Sequence, residues 1–405
     1  MKILILSFYY PPDLSAGSFR TASLIERLSP KLPKDATVDI ITTQPNRYHA
    51  LTDAAPKEEC NGNVRIRRIM LPSHKSGMRD QAKAFSVFFY RVLEMTAAQR
   101  YDLVYGTSSR LFTAVLAAVV ARRVSARLYL DIRDIFVDTM KDVLPAHLAR
   151  PSLPFLSAIE RFAINRADRI NLVSAGFLPW YQQRYPNKVF DVHPNGIDDA
   201  FLLPMPTAPT QHRERPLVLY AGNIGEGQGL HLVLPKLAQR CADRFDFLVI
   251  GAGGRRAALE AELAKAKVSN VLLRDPVQRN DLIPLYQSAD VLFLHLNAYD
   301  AFLKVLPSKL FEYAAIGKPI LAGVAGYAAE FIRTEIPHAG VFAPCDANAG
   351  ENALRGLSLE TKQCSVFIKK YCRANTMDRL ADILMSMARE SSRGCNLLKS
   401  GKTHD

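Results

Sequence analysis

No stretch of this chain reaches the ~20 consecutive apolar residues that a helix needs to cross a bilayer. The longest candidate, residues 111–121, stops at Arg122-Arg123 and reads as a buried helix. A secretory leader is not legible either, since the apolar run 3–8 is short and meets Pro11-Pro12 at once. Cysteine is sparse. Cys60, Cys241, Cys345, Cys364, Cys372 and Cys395 are scattered, without metal-type spacing, which predicts reduced thiols in a cytoplasm. No G-x-G-x-x-G follows the first strand with an acid downstream, which argues against a redox dinucleotide enzyme. RRM, helix-turn-helix and zinc-knuckle patterns are missing, so nucleic acid is not an expected partner. Acid is in deficit: 52 Lys and Arg stand against 39 Asp and Glu, a net charge of +13. Residues 57–127 alone hold 13 basic and 5 acidic residues, a net of +8. Such a patch suits anionic lipid or a phosphorylated acceptor.

What is present is a βα rhythm that runs twice. At 405 residues and 48% apolar, the chain is long enough for two cores. Residues 2–7 form a continuous apolar run after Lys2, the pattern of a central parallel strand. The loop through Gly17, Ser18 and Arg20 then opens a helix, with Ser18 the expected cap. Strands are predicted at 38–43, 64–69, 103–106, 127–132 and 169–174, with a polar loop at 45–63 and Arg68 on a wet face. Asp131, Arg133 and Asp134 cluster at a strand's carboxyl end, where α/β enzymes place their chemistry. Helix capping and a local ion pair would explain them almost as well. Residues 78–93 read as an amphipathic helix with Phe85, Phe88, Phe89 and Val92 on one face. That face either fills a core or rests on an anionic membrane, with Arg79, Lys83 and Arg91 beside it.

Residues 200–216 carry Pro204, Pro206, Pro209 and Pro216, and read as a linker. The rhythm restarts with a strand at 217–222. Gly222, Asn223 and Gln228 lie in the glycine-rich loop that follows, a type of loop that offers N–H groups to a diphosphate. A strand at 271–273 leads to Val277, and another fills 289–296. Residues 307–322, P-S-K-L-F-E-Y-A-A-I-G-K-P-I-L-A, then predict a helix with Pro307 and the cap Ser308 at its start. Leu310, Tyr313 and Ala314 fall at helical spacing, and Gly317 with Pro319 ends it. Lys309 and Glu312 share its first turn. A cation and an acid there suit a ligand with phosphate at one end and a sugar diol at the other. A capped surface helix accounts for the same residues.

This last stretch resembles the donor-site motif of GT-B glycosyltransferases of family four, in particular the bacterial branch that builds O-antigen, capsule and exopolysaccharide. P-N-G-I-D at 194–198 is similar to the family's marker at the end of its first domain. The resemblance implies an α/β protein of two doubly wound Rossmann-like domains facing a central cleft. Domain one would span 1–200 and domain two 201–369. A terminal helix near 370–388 would pack back on the first domain, and 389–405 would be disordered. The activity implied is retaining transfer of a sugar from a nucleotide-diphosphate sugar, a UDP-sugar by preference, to a lipid-linked or saccharide acceptor. No cofactor or metal would be needed. The protein would work in the cytoplasm, with peripheral contact at the inner face of the membrane. Gly222, Asn223, Gln228, Val277, Ser308, Lys309, Leu310 and Glu312 would hold the donor. Gly17, Ser18 and Arg20 would face the acceptor, and Asp131, Arg133 and Asp134 would be the catalytic candidates.

Three departures stand out. Arg133-Asp134 fills the place of the family's usual His-Asp pair, and Asn223 and Gln228 replace its loop Arg and Lys. Lys304 stands where a glutamate is usual, eight residues before Glu312. A non-hydrolysing nucleotide-sugar epimerase of the same fold and a non-catalytic assembly scaffold are the alternative readings.

Overall fold

The computed structural model describes residues 1–13, 15–46, 55–72, 78–108, 111–143, 146–202 and 213–400. They form two compact units, Met1–Asn195 with Arg373–Asp405, and Gly196–Cys372. These divisions fall a few residues from those at 200 and 369 read from the sequence. The linker's prolines at 204, 206 and 209 lie outside the described residues.

The first unit is built on eight strands: β1 (Lys2–Leu6), β2 (Thr37–Thr43), β3 (Glu58–Asn61), β4 (Val64–Ile69), β5 (Leu103–Thr107), β6 (Arg127–Ile132), β7 (Arg169–Leu172) and β8 (Phe190–Val192). Their order is β3-β4-β2-β1-β5-β6-β7-β8, and only the β3–β4 pair is antiparallel. Edge strand β3 lies in what the sequence suggests is a polar loop. Gly62, at φ 58°, supplies the tight turn that folds it onto β4. Arg68, expected to stay wet, is 8% exposed and pairs with Glu59 at 2.6 Å, because β3 covers it.

Central strands are apolar on both faces because helices cover both. On one face, Ile3, Ile5, Val38 and Ile40 meet Leu24 and Ile25 of the helix Ala16–Leu28. The same cluster takes Met377, Leu380, Ala381, Leu384 and Ala388 from the helix Arg373–Ser400. Their 3- and 4-residue spacing draws one stripe along that helix. On the other face, the helix Leu111–Arg123 lies so close to β5 that a methyl group on Gly106 would come within 2.4 Å of Ala117 Cβ. The C-terminal helix also runs on to Ser400, where disorder is expected from 389. Glu390 explains the first turns of that extension: it accepts from Arg127 at 2.7 Å and from Ser386 at 3.3 Å.

The helix Met78–Thr96 settles which way its aromatic stripe faces. Phe85, Phe88 and Val92 are buried, and the Phe88 ring stands 5.2 Å from that of Phe8. These three residues of the stripe are core, while Phe89 stays half-exposed beside the exposed Tyr90, Lys83 and Arg91.

The second unit has six parallel strands: β9 (Leu217–Ala221), β10 (Asp246–Ile250), β11 (Val271–Arg274), β12 (Val291–His295), β13 (Ile320–Gly323) and β14 (Ala339–Phe342), in the order β11-β10-β9-β12-β13-β14. Alternate residues serve opposite cores. Leu217, Leu219 and Ala221 join Leu310, Phe311 and Tyr313 on one side, while Val218 and Tyr220 join Leu230, Val233 and Leu237 on the other. This two-sided packing fixes the register of β9, and so fixes where its carboxyl end releases the glycine-rich loop.

Candidate functional site

Beyond β9 the backbone turns at Gly222, which sits at φ 154°. Its N–H donates to Ile250 O at 2.8 Å, and Ile224 N–H donates to Ala252 O at 2.9 Å, so the chains leaving β9 and β10 run side by side. A methyl group on Gly251 would fall 1.8 Å from Gly222 O, and no side chain is compatible with that approach. On the open side of this turn lies Lys309. A methyl group on Gly222 would come within 2.2 Å of Lys309 Nζ and 2.7 Å of its Cε. The ammonium group is thus seated over the glycine turn, as a clamp for an anion requires.

What aims the lysine is the rest of its helix, Lys309–Ile316. Leu310, Phe311, Tyr313, Ala314 and Ala315 are buried against the sheet and leave Lys309 and Glu312 half-exposed in the first turn. Gly317, at φ 79°, closes the helix. Two expectations are corrected here. Ser308 has helical backbone angles (φ −62°, ψ −33°) and makes no side-chain cap bond; its carbonyl accepts from Phe311 N–H at 3.2 Å, so the chain is already turning at Pro307. Leu310 is fully buried and its N–H donates to Pro307 O at 3.2 Å, so it anchors the helix and has no surface to offer a donor. Val277 is half-buried and packs on the same core as Leu310.

Asn223 and Gln228 face each other. Asn223 Nδ2 donates to Gln228 Oε1 at 2.8 Å, and Gly225 N–H donates to the same oxygen at 3.3 Å. They brace the loop through each other, and the turn's cations are Lys309 beside Gly222 and Arg256, whose Nη1 donates to Gly251 O at 2.9 Å. Among the described residues no group of three His, Cys, Asp or Glu side chains could hold a metal ion.

Three residues that the sequence reading passes over support this loop. His295 is fully buried at the end of β12, and its Nδ1 lies 2.6 Å from Gln228 O. Asn297 Nδ2 donates to Glu226 O at 2.9 Å, and Tyr299 Oη donates to the Glu226 carboxylate at 2.6 Å. Burial pushes His295 down to about 4, so the ring is neutral near pH 7. Their signal in the sequence is a His and an Asn two apart at a strand's carboxyl end.

The first unit arranges its candidates differently. Arg20 and Asp131 are both fully buried. Arg20 Nε and Nη2 donate to the two Asp131 oxygens at 2.9 and 3.1 Å, and Nη1 donates to Pro194 O at 2.7 Å. Asn171 Nδ2 adds a 2.6 Å bond to Asp131. Burial alone would raise the Asp131 pKa, but Arg20, Arg133 and these hydrogen bonds outweigh it and hold the carboxylate below its usual range. Neither side chain can meet an acceptor or exchange a proton with one; the pair is a structural tie. Ser18 is also fully buried, and the cap of its helix is Ser15, whose Oγ accepts from Ser18 N–H at 3.1 Å. Capping begins one turn earlier than expected because the helix includes Gly17.

Gly17 and Arg133 are brought together: a methyl group on Gly17 would lie 3.7 Å from Arg133 Nε. Arg133 Nη2 donates to Asn195 Oδ1 at 3.1 Å. Asp134 reaches solvent at the mouth of a small cavity of about 30 Å³, bordered by Ser108, Glu160 and Tyr181.

Residues 20–196 match the family described as Glycosyl transferase 4-like domain, and residues 215–358 match Glycosyl transferases group 1. The chain is 25% identical over 347 residues to WcaI of Escherichia coli (strain K12), a glycosyl transferase named for colanic acid biosynthesis, covering 78% of this chain and 82% of that one. It is 28% identical over 212 residues to 2-deoxystreptamine glucosyltransferase of Streptomyces kanamyceticus, covering 45% and 54%. Among solved structures, Anabaena HepE in complex with UDP-glucose superposes with a TM-score of 0.62 at 15% identity over 98% of this chain and 99% of that one. WaaG, a glycosyltransferase involved in lipopolysaccharide biosynthesis, gives 0.62 at 16% identity, over 96% and 98%.

Proposed function

Because this chain belongs to the family-four glycosyltransferases of the GT-B fold, we propose that it moves a sugar from a UDP-sugar, with retention, to a lipid-linked or saccharide acceptor in the building of a bacterial surface polysaccharide. The observation that carries the reading is the Lys309 ammonium seated over Gly222. A diphosphate placed there meets a cation and the first turn of a short helix, where the positive end of the dipole lies. As the bond to the sugar breaks, negative charge grows on the departing phosphate, and a preorganised cation stabilises it without the solvent having to rearrange. Transfer needs no metal in this reading, since Lys309 takes the part of the counter-charge. Glu312, in the same helical turn, would accept hydrogen bonds from the ribose diol. On the acceptor side Asp134 is the exposed acid of the three candidates, where a carboxylate could take a proton from an acceptor.

The relatives named for colanic acid and lipopolysaccharide biosynthesis support the polysaccharide setting, and the complex of HepE with UDP-glucose supports uracil as the base. The basic stretch 57–127 would draw the protein to anionic lipid at the cytoplasmic face of the membrane, where a lipid-linked acceptor waits. No helix among the described residues is long and apolar enough to cross it. A thermal-shift panel of UDP-, GDP- and ADP-sugars tests the donor. Stabilisation by the UDP-sugars alone is the expected result. Calorimetry on Glu312→Ala tests the ribose contact, and an unchanged UDP affinity would overturn it.

A further inference from the structure

The turn Glu226–Gln228 follows the Gly222 bend, and its three carbonyls all face the same neighbour. Glu226 O accepts from Asn297 Nδ2 at 2.9 Å, Gly227 O from Asn297 N–H at 2.8 Å, and Gln228 O lies 2.6 Å from His295 Nδ1. A trans peptide is planar, with its C=O and N–H on opposite sides. Drawing three successive carbonyls toward the end of β12 therefore fixes three peptide planes: the Gly227 N–H turns away from it, while Gln228 N–H and Gly229 N–H close the turn on Gly225 O and Glu226 O, each at 3.2 Å.

The side chains that do this are themselves held. His295 Nε2 lies 3.0 Å from Cys345 N–H, which must donate to it. Nε2 is therefore the acceptor, and the proton is on Nδ1, facing Gln228 O. The ring fits because position 323 is glycine: a methyl group there would lie 2.2 Å from His295 Cδ2. Asn297 Oδ1 accepts from Ala298 N–H at 2.9 Å and from the Cys345 thiol at 3.4 Å, which fixes its amide the right way round. Contacts to the turn are equally close, since a methyl group on Gly229 would meet Asn297 Cγ at 3.0 Å and one on Gly227 would meet Phe302 Cζ at 3.0 Å.

We propose that His295 and Asn297 are positioning residues for the nucleotide site: from the carboxyl end of β12 they hold the carbonyls of residues 226–228 and so fix the conformation of the loop that follows the Gly222 bend. The inference rests on the diphosphate reading of that loop. Neither residue touches the ligand, and each acts through the turn it holds.

The test uses the full-length protein, uridine diphosphate as probe, and a pair of substitutions at one position. His295→Phe keeps the ring, which packs between Phe293 and Phe342 at centroid distances of 6.1 and 6.0 Å, but removes both hydrogen bonds. His295→Asn loses the ring but puts an amide N–H where Nδ1–H was. The expected result is a crossing. His295→Phe has the higher melting temperature of the two, yet binds uridine diphosphate about tenfold more weakly than wild type, the worth of one well-placed hydrogen bond. His295→Asn melts lower but recovers most of the affinity. Amide hydrogen exchange across residues 223–230, measured without ligand, follows affinity in this ranking. If affinity and exchange instead follow melting temperature, or do not change in His295→Phe, the residue is only packing and the inference is overturned. Should His295→Phe not fold, Asn297→Asp serves: it keeps the shape, opposes a carboxylate to Glu226 O, and is expected to loosen the same amides. Failure of the wild-type protein to bind uridine diphosphate would overturn the donor reading instead, and the exchange measurements would still decide for or against the positioning role.

Discussion

Both units place polar side chains just past the carboxyl ends of their parallel strands, and they use them in opposite ways. In the first unit Arg20 and Asp131 are fully buried, and they close on each other. In the second, the corresponding space is lined by glycines, and Lys309 stays half-exposed over one of them. Two buried charges that satisfy one another hold a fold together; a cation at the edge of solvent beside a glycine turn stands where a ligand can reach it. A charged residue at a strand's carboxyl end is therefore not a site by its position alone. Burial and partners decide.

The largest effect that would test this contrast is on stability. Asp131→Ala leaves Arg20 buried without its counter-charge, and thermal or denaturant unfolding should show a loss of about 3–5 kcal/mol. A mild effect there would mean that the first unit's charges are not a tie after all. Next comes a difference in pH response. Burial, and then the neighbouring Asp138, raises Glu160 in the first unit from 4.5 to about 7. Its carboxyl is protonated when folded but ionises from about 4.5 upward when unfolded. The first unit should therefore lose stability as pH climbs from 4.5 toward 7, by on the order of 3 kcal/mol. His295 in the second unit runs the other way. Burial lowers it from 6.5 to about 4, so the unfolded chain takes up a proton first and stability falls as pH drops from 6.5 toward 4. Hydrogen exchange resolved by unit should show the two slopes, and Glu160→Gln should flatten the first while leaving the second.

Lys309→Ala should barely move the melting temperature, within about 0.5 kcal/mol, while lowering turnover about a hundredfold and donor affinity much less. Equal losses in turnover and affinity would make the lysine an ordinary ground-state contact. The smallest and most local test is Gly222→Ala. The added methyl displaces the end of a flexible side chain and strains a backbone at φ 154°, so the melting temperature should fall by the equivalent of about 1–3 kcal/mol and the affinity for uridine diphosphate should weaken about tenfold. Unchanged binding would show that the lysine does not work from that seat.

The fold could be read largely because its signals are local. Apolar runs such as 217–221 and 291–295 announce buried parallel strands, and glycine next to a strand's end announces a turn. Lys309 and Glu312 could be read too, since helical spacing alone puts them in one turn. Other features depend on contacts between distant parts of the chain. Arg20 and Asp131 are 111 residues apart, and nothing near either one says that it will be matched and buried. The stripe at Phe85, Phe88 and Val92 has the same periodicity whether it meets a membrane or Phe8, and only the fold supplies Phe8. His295 and Asn297 were passed over because they lie in a strand and its exit, while their partners are backbone carbonyls, which leave no mark in a sequence. Ser18 failed as a cap because Ser15, three residues earlier, takes the role, and Ser308 because its backbone is already helical and its side chain makes no cap bond.

The helix Arg373–Ser400 covers a sheet whose strands were all made before residue 195. On the ribosome, the surface formed by Ile3, Ile5, Val38 and Leu24 must therefore wait, bare and adhesive, while the whole second unit is synthesised. A fragment ending at residue 195 would keep that surface permanently uncovered and should aggregate, whereas supplying residues 373–400 as a separate peptide should return it to solution.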